Sequence, residues 1–575
     1  MFKINVVFKN LKNYKVKSIL GPTFKLFEAI LELLVPLVVA DIIDNGIKSG
    51  DVMYVVYRSL LLILMGAVGL AFSVTAQYFS AKAAVGCATS IRHNLFEKLQ
   101  SLSFTQIDKV GTSTMITRMT SDVNQVQTGI NLVLRLLLRS PFVVFGAMIM
   151  AFTVNAKAAI IFVVVIPILM VVVMALMLIT IPLYKKVQNM VDALVRVSRE
   201  NLSGIRVIRA FCREDAEKED FDNKNQALDK FQNLVGMVSA LMNPLTFVII
   251  NIGIICLIKS GAVMIENNQL LSGELVALYN YMSQILVELI KFASLIITVT
   301  KSIASANRIS EVMDIKTDEE SNDGITSESY KVSFNNVSFR YDGASEDSLC
   351  NISFDANQGE KIGIIGGTGS GKSTLANLIP AFYLATEGDI EIGGVDVKLW
   401  NKTALNRIVG VVPQKATLFK GTIRENLLWG NENADDEALQ IAIDMAQATD
   451  IVKSKMLGLD ELVEQGGTNF SGGQRQRLTI ARAIVKQPKI LILDDSSSAL
   501  DYATDAALRE AISSLNDTTV FIISQRASSL LNCDRIVVLD DGEQVGYGTH
   551  NELLQNCDVY KEIYYSQFES EGEVQ

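Results

Sequence analysis

Residues 361–382 read KIGIIGGTGSGKSTLANLIPAF, and this stretch decides the class of the C-terminal half. The run Lys361–Ile365 has the length and apolarity of a buried strand, and the segment from Leu375 onward reads as a helix. Between them Gly366, Gly367, Thr368, Gly369, Ser370, Gly371, Lys372, Ser373 and Thr374 match G-x-x-x-x-G-K-S in the strand-to-helix setting that a phosphate loop requires. Glycines let backbone N–H groups converge on a β-phosphate at a helix N-terminus. Lys372 neutralises the β- and γ-phosphates, and the Ser373 hydroxyl serves as a Mg²⁺ ligand. An α/β domain of the P-loop NTPase type is therefore predicted.

Further on, Ile490–Asp494 (ILILD) is too short for a helix and ends in a carboxylate. It reads as a buried parallel strand whose C-terminal end places Asp494 beside the phosphate loop, where it holds a Mg²⁺ water. Between the two motifs stands FSGGQRQR, residues 470–477, of which Ser471, Gly472, Gly473 and Gln474 open a helix-like segment. A glycine-rich turn explains the glycines but not the whole constellation.

Upstream the composition changes. Charge-free runs cover Ser59 to Ala81, Ser140 to Ala156, Ala158 to Tyr184 and Phe231 to Ile258, each near or above the ~20 residues that cross a bilayer. Ser18 to Ala40 and Leu275 to Thr300 are apolar but interrupted by charges, giving six expected spans. Met1 to Leu20 holds five lysines, and the connection Ala84 to Gln125 holds Arg92, Lys98, Lys109 and Arg118. The positive-inside bias puts both in the cytoplasm, with the phosphate-binding half. The expected organisation is a transmembrane domain over 1–315, a polar linker over 316–331 and a nucleotide-binding domain over 332–575. Val7, Leu11 and Tyr14 share a helical face, which predicts a helix lying on the inner membrane surface.

Composition agrees. Of the 575 residues, 49% are hydrophobic and 20% charged, with a mean hydropathy of +0.29, more apolar than one soluble core needs. A net charge of -10 argues against nucleic acid as a partner. Six scattered cysteines and two histidines carry no zinc or disulfide spacing.

Taken in order, the phosphate loop, the Pro413-Gln414 pair, FSGGQRQR, ILILD and Ser498-Ala499-Leu500-Asp501 resemble the nucleotide-binding domain of ATP-binding cassette (ABC) proteins. The membrane half is similar to ABC exporters: SLSFTQIDKVGTSTMITRMTSDV and RENLSGIRVIRAFCRE resemble their two intracellular loops. The resemblance implies a six-helix transmembrane domain fused to an ABC cassette in the bacterial inner membrane, with N-terminus and cassette cytoplasmic. It implies coupling helices near Phe104 to Lys109 and Ile205 to Glu214, with ATP and Mg²⁺ as cofactors. It also implies that Tyr341 stacks on adenine, that Gln414 links Mg²⁺ to the membrane domain, and that Ser471 to Gln474 caps the ATP of a second chain, Asp501 lying in the D-loop.

Two positions depart from that family's hydrolytic machinery. After Asp494 the family usually has Glu, and here stands Asp495, whose carboxylate is withdrawn by ~1.5 Å. At the switch histidine stands Gln525, an amide that donates to a γ-phosphate but carries no charge. His550 lies in a later turn and does not replace it. Together they predict a site that binds ATP and hydrolyses it poorly, in a heterodimer whose second half-transporter supplies the catalytic Glu and switch His. The expected function is ATP-driven export of amphipathic drugs or lipids; the alternative is an ATP-regulated channel or sensor. Charged residues of the membrane half, Glu288 with Lys291 and Arg135 with Arg139, each pair one turn apart, are candidates to line the substrate cavity, or else form local ion pairs and helix extensions.

Overall fold

A computed structural model describes residues 5–316 and 326–568. Most of the expected linker, residues 317–325, lies outside the described residues. The chain forms two compact units, Met1–Ser101 with Thr112–Ile315, and Leu102–Gly111 with Lys316–Gln575.

The first unit is helical. Its main helices are α1 (Asn5–Leu11), α2 (Lys15–Asp41) and α3 (Val52–Gln100), then, after α4 (Phe104–Val110) of the other unit, α5 (Val123–Leu136), α6 (Arg139–Val154), α7 (Ala156–Ser203), α8 (Ile205–Ala210), α9 (Glu214–Ala240), α10 (Met242–Glu266) and α11 (Ser272–Met313). Polar side chains start the long helices: Asp51 accepts from the Tyr54 N–H, and Asn155 from the N–H groups of Lys157 and Ala158. At 1.5 Å per residue α11, with 42 residues, runs about 63 Å, roughly twice a bilayer's hydrocarbon core. The long cytoplasmic connections expected from sequence are in part continuations of membrane helices.

Among the described residues five helical stretches have the length and apolarity to cross a membrane: Val52–Gln100, Thr112–Val154, Ala156–Ser203, Glu214–Glu266 and Ser272–Met313. The first expected span, Ser18 to Ala40, forms within α2, whose 27 residues are long enough, but it carries Lys25, Glu28 and Glu32. Those charges are answered inside the unit. The Lys25 ammonium donates to Glu28 (2.5 Å) and to the Ser73 hydroxyl (3.2 Å), and Glu32 pairs with Arg139. At the start of the chain Val7 and Leu11 of α1 pack against the cluster of Ala84, Cys87, Ala88 and Ile91, and the Tyr14 ring lies against Gly86.

The second unit holds a ten-stranded sheet of β1 (Val332–Phe339), β2 (Leu349–Ala356), β3 (Lys361–Gly366), β4 (Glu387–Ile392), β5 (Val395–Asp396), β6 (Val409–Val412), β9 (Ile490–Asp494), β10 (Thr519–Ile523), β11 (Arg535–Asp540) and β12 (Glu543–Gly548). β7 (Gly421–Thr422) and β8 (Leu462–Val463) pair separately. The order is β5-β4-β1-β2-β12-β11-β3-β10-β9-β6, with β11, β3, β10, β9 and β6 parallel. Every residue of β9 is buried, as a strand covered on both faces requires. Register sets Ile523 beside Ile364 and Asp494, so β3, β9 and β10 deliver their following loops to one edge.

Candidate functional site

At that edge the loop after β3 turns into α12 (Lys372–Leu378). The backbone leaves no room for side chains at two glycines. A Cβ on Gly366 would lie 2.2 Å from the Leu539 carbonyl oxygen, and one on Gly371, with φ +91°, 2.6 Å from that of Ser348. The loop borders a cavity of about 700 Å³ lined by Thr368, Gly369, Gly371, Lys372, Ser373, Thr374, Gln414, Asp494, Asp495 and Gln525. Ile523 and Ser524 also line it. Residues 343–348 and 541–542 complete the wall. They come from loops whose sequence carries no motif, and sequence reasoning missed them.

Lys372 Nζ folds back onto its own loop, donating to the carbonyls of Gly366 (2.9 Å) and Gly367 and to the Ser370 hydroxyl (3.3 Å). Burial pushes its pKa down while Asp495 and Asp494 pull it up. The ammonium is thus held over weak neutral acceptors, from which a phosphate oxygen readily recruits it. Across the cavity the Ser373 hydroxyl donates to Asp494 Oδ1 at 3.0 Å. Burial raises the Asp494 pKa, Asp495 adds to the rise, and Ser373 and Lys372 oppose it. A hydroxyl, a carboxylate and the Gln414 amide form an all-oxygen donor set that suits a hard cation such as Mg²⁺. When bound, that ion neutralises phosphate charge; Ser373 and Asp494 are the residues that would hold it.

Asp495 sits in the left-handed region at φ 45°, and its N–H bonds the Ile523 carbonyl at 3.0 Å. Its carboxylate accepts from Gln414 Nε2 at 3.3 Å. Gln525 lines the cavity from the loop after β10.

Other expected residues stand apart from this cavity. Ser471 caps α13 (Gly472–Val485): its hydroxyl accepts from the Gln474 N–H at 3.3 Å, and Gln474 Oε1 accepts from the Ser471 N–H at 3.0 Å. Ser471 and Gly472 are exposed. Asp501 caps α14 (Tyr502–Ser513) by accepting from the Thr504 N–H and hydroxyl, both at 2.9 Å. Tyr341 donates to or accepts from the Thr374 hydroxyl at 3.1 Å, and its ring stands edge-on to Tyr383 at 5.3 Å. It lines a separate cavity of about 810 Å³.

Residues 18–289 match the family described as ABC transporter transmembrane region, and residues 349–498 the one described as ABC transporter. The ABC transporter ATP-binding protein YfiB of Bacillus subtilis is 37% identical over 564 residues, 98% of each chain. The chain belongs to the ABC transporter family. The ABC transporter ATP-binding protein Rv1273c of Mycobacterium tuberculosis is 34% identical, with 94% of each chain covered. A bacterial Atm1-family ABC exporter solved with ATP bound has the same fold, with TM-score 0.80 and 22% identity over 97% of this chain and 98% of that one. The transporter is thus a multi-pass membrane protein whose cassette binds ATP and couples its hydrolysis to transport.

The cassette unit of this ABC transporter includes α4, the first expected coupling helix. Phe104 packs on Phe382 with ring centroids 4.6 Å apart, Tyr383 donates its hydroxyl to Asp108 at 2.6 Å, and Lys109 pairs with Asp342 at 3.0 Å. The second expected coupling segment, Ile205 to Glu214, forms α8 and the start of α9.

In the membrane unit the four candidate charges part company. Arg139 donates from Nη1 to Glu288 Oε1 (2.5 Å) and from Nη2 to Glu32 Oε2 (2.6 Å). Glu288 also accepts from Ser140 (2.9 Å) and Lys291 (2.9 Å). The local pair Glu288–Lys291 forms, but the stronger contact is the bridge from α6 to α2 and α11, and Glu32 is a member the sequence reading did not name. Glu32, Glu288 and Lys291 line a cavity of about 470 Å³ with Asn280, Ser283 and Gln284. Neither Arg135 nor Arg139 is among its lining residues, and the Arg135 Nε is buried without a hydrogen-bond partner.

Proposed function

We propose that this chain is one half of a heterodimeric ABC exporter that moves amphipathic small molecules or lipids out of the cell. Its own ATP site binds nucleotide and turns it over slowly; its signature residues Ser471 to Gln474 complete the site of a second half-transporter. The observation that carries this reading is the pair Asp495 and Gln525. The Asp495 carboxylate is one methylene short and already engaged by Gln414, so it is poorly placed to accept a proton from an attacking water. Gln525 offers a neutral donor where a charged imidazolium would stabilise the transition state. The exposed capping box at Ser471 supports donation to a nucleotide outside this chain's own cavity. Lys372, Ser373 and Thr374 take the phosphates, and Tyr341, which lies outside their cavity but whose hydroxyl meets that of Thr374 at 3.1 Å, takes the base. The cavity bordered by Glu32, Glu288 and Lys291, with apolar Val35, Val39 and Val287, offers both halves of an amphipathic contact.

The test is asymmetric inactivation of the complex purified with its partner half. Asp495→Asn leaves most ATPase activity intact, whereas the same change at the partner subunit's catalytic Glu abolishes it. Equal losses from the two changes refute the heterodimer with one slow site.

A further inference from the structure

The loop that carries Gln525 is gripped from two sides. On one, Arg509 of α14 donates to the Ser528 carbonyl at 2.7 Å, and the Ser529 hydroxyl lies 3.4 Å from Asp505 Oδ2. On the other, α15 (Asp558–Phe568) lays Gln567 across the loop. Its Oε1 accepts from the Ala527 N–H at 2.8 Å, and its Nε2 donates to the Gln525 carbonyl at 2.8 Å. One side-chain amide thereby supplies the donor and the acceptor that a neighbouring strand would otherwise provide. Between those two backbone groups Arg526 places its guanidinium over the Tyr502 ring, 5.4 Å from the centroid.

The bracket stands on a firm base. Tyr560 and Leu553 are buried in a cluster with Ala527, Leu530 and Ile536, against which Tyr564 and Phe568 pack. The Tyr560 hydroxyl meets His550 Nδ1 at 2.7 Å. Ala527 is fully buried, so its N–H has no water to turn to when the Gln567 oxygen is removed.

We infer that Gln567 is a positioning residue for the γ-phosphate contact made by Gln525. With the carbonyl of residue 525 and the N–H of residue 527 both fixed, the direction in which the Gln525 side chain enters the cavity is fixed as well. Direction matters more here than at a switch histidine. A neutral amide contributes only while its N–H points at the acceptor, and that contribution falls steeply with angle, whereas an imidazolium retains charge attraction when misaligned. The inference rests on the reading of Gln525 as the γ-phosphate contact. It assigns the far C-terminal helix a part in telling ATP from ADP, since the β-phosphate is held by the loop of Lys372 and not by residue 525.

The test uses the full-length chain and displacement of a fluorescent ADP derivative by Mg·ATP and by Mg·ADP. Gln567→Met keeps the volume and apolar packing of the side chain and removes the hydrogen bonds to Ala527 and Gln525. The expected result is an ATP affinity lower by about five- to tenfold with ADP affinity within about twofold of wild type. Gln567→Glu keeps an acceptor for Ala527 but turns a carboxylate toward the Gln525 carbonyl, and it gives the same selective loss should the Met variant fail to fold. A parallel fall in ATP and ADP affinity, with a lower unfolding temperature, overturns the inference and leaves Gln567 a purely structural residue. Gln525→Ala separates the two layers. If it leaves the ATP-to-ADP preference unchanged, the γ-phosphate reading falls and this inference with it; if it abolishes the preference and Gln567→Met does not, only the inference falls.

Discussion

Replacing Glu288 with Gln removes one charge from the membrane unit with almost no change in shape, and the structure sets how much that charge is worth. The Arg139 side chain is 7% exposed and that of Glu288 2%, so neither turns to water when the other is lost. Removing one partner of such a pair costs about 3–5 kcal/mol when the remaining charge is left unpaired; Glu32 stays on Arg139, so the cost here is set at about 3 kcal/mol or less. Glu32 contacts the same guanidinium but is 38% exposed, so Glu32→Gln is expected to cost about 1 kcal/mol or less. Cys87, fully buried in the same unit, reports opening: its labelling by a thiol reagent, resolved by peptide mass spectrometry on the full-length transporter, tracks the open population. Glu288→Gln should accelerate it by up to roughly 10²-fold and Glu32→Gln by about fivefold or less. The double change Arg139→Met with Glu288→Met should recover most of the loss, since a buried ion pair is often replaceable by apolar side chains of similar volume. Comparable acceleration by Glu288→Gln and Glu32→Gln, or a double variant worse than either single one, refutes the assignment of a desolvated bridge.

Asp494 gives a pH dependence. Its pKa lies above the ordinary carboxylate value, and the proton must leave before the group can hold Mg²⁺. Mg·ATP affinity is therefore expected to fall as pH drops through that raised value, at a higher pH than an exposed carboxylate near 3.9 would give. Asp494→Asn should weaken binding at neutral pH and flatten the profile, and an unchanged profile contradicts the assignment. At the signature, Ser471→Arg is expected to suppress turnover of the two-chain complex by more than tenfold while an azido-ATP probe still labels this chain's own site. Loss of labelling confined to this chain is the contrary outcome.

Local and non-local information separate cleanly in this chain. The phosphate loop, β9 and the Ser471 cap were legible because each is one short segment whose residue types act on their own backbone: glycines at the turn, buried apolar residues along the strand, a serine at a helix start. The substitutions Asp495 and Gln525 were legible for the same reason, each being one position in a motif. In the membrane half local spacing found the charges and the Glu288–Lys291 pair, which forms. It missed the longer reach, in which Arg139 meets Glu288 across 149 positions and Glu32 across 107. Periodicity along one helix states which residues share a face, and it is silent on which helix that face meets. The Tyr383–Asp108 contact, 275 positions apart, and the Gln567 bracket were invisible on the same ground.

The slow hydrolysis proposed for the Lys372 site would have a mechanical consequence that follows from linkage alone. A nucleotide that persists stabilises whichever arrangement of the two cassettes binds it more tightly, and by no more than the ratio of those affinities. At a concentration one hundred times the closed state's dissociation constant, a ligand shut out of the open state contributes about 2.7 kcal/mol, enough for a hundredfold bias. In the proposed heterodimer, where the closed arrangement alone brings the second chain's signature onto this chain's phosphate loop, retained ATP would favour contact on this side while the competent site opens and reloads. Engagement of Asp495 by Gln414 acts in the same direction: it keeps the carboxylate on a protein amide instead of a water, and so prolongs the state in which the ATP is held. On the proposed heterodimer reading, weak chemistry at Asp495 keeps this half coupled to its partner between turnovers, and replacing the residue by Glu should shorten that contact as it speeds hydrolysis.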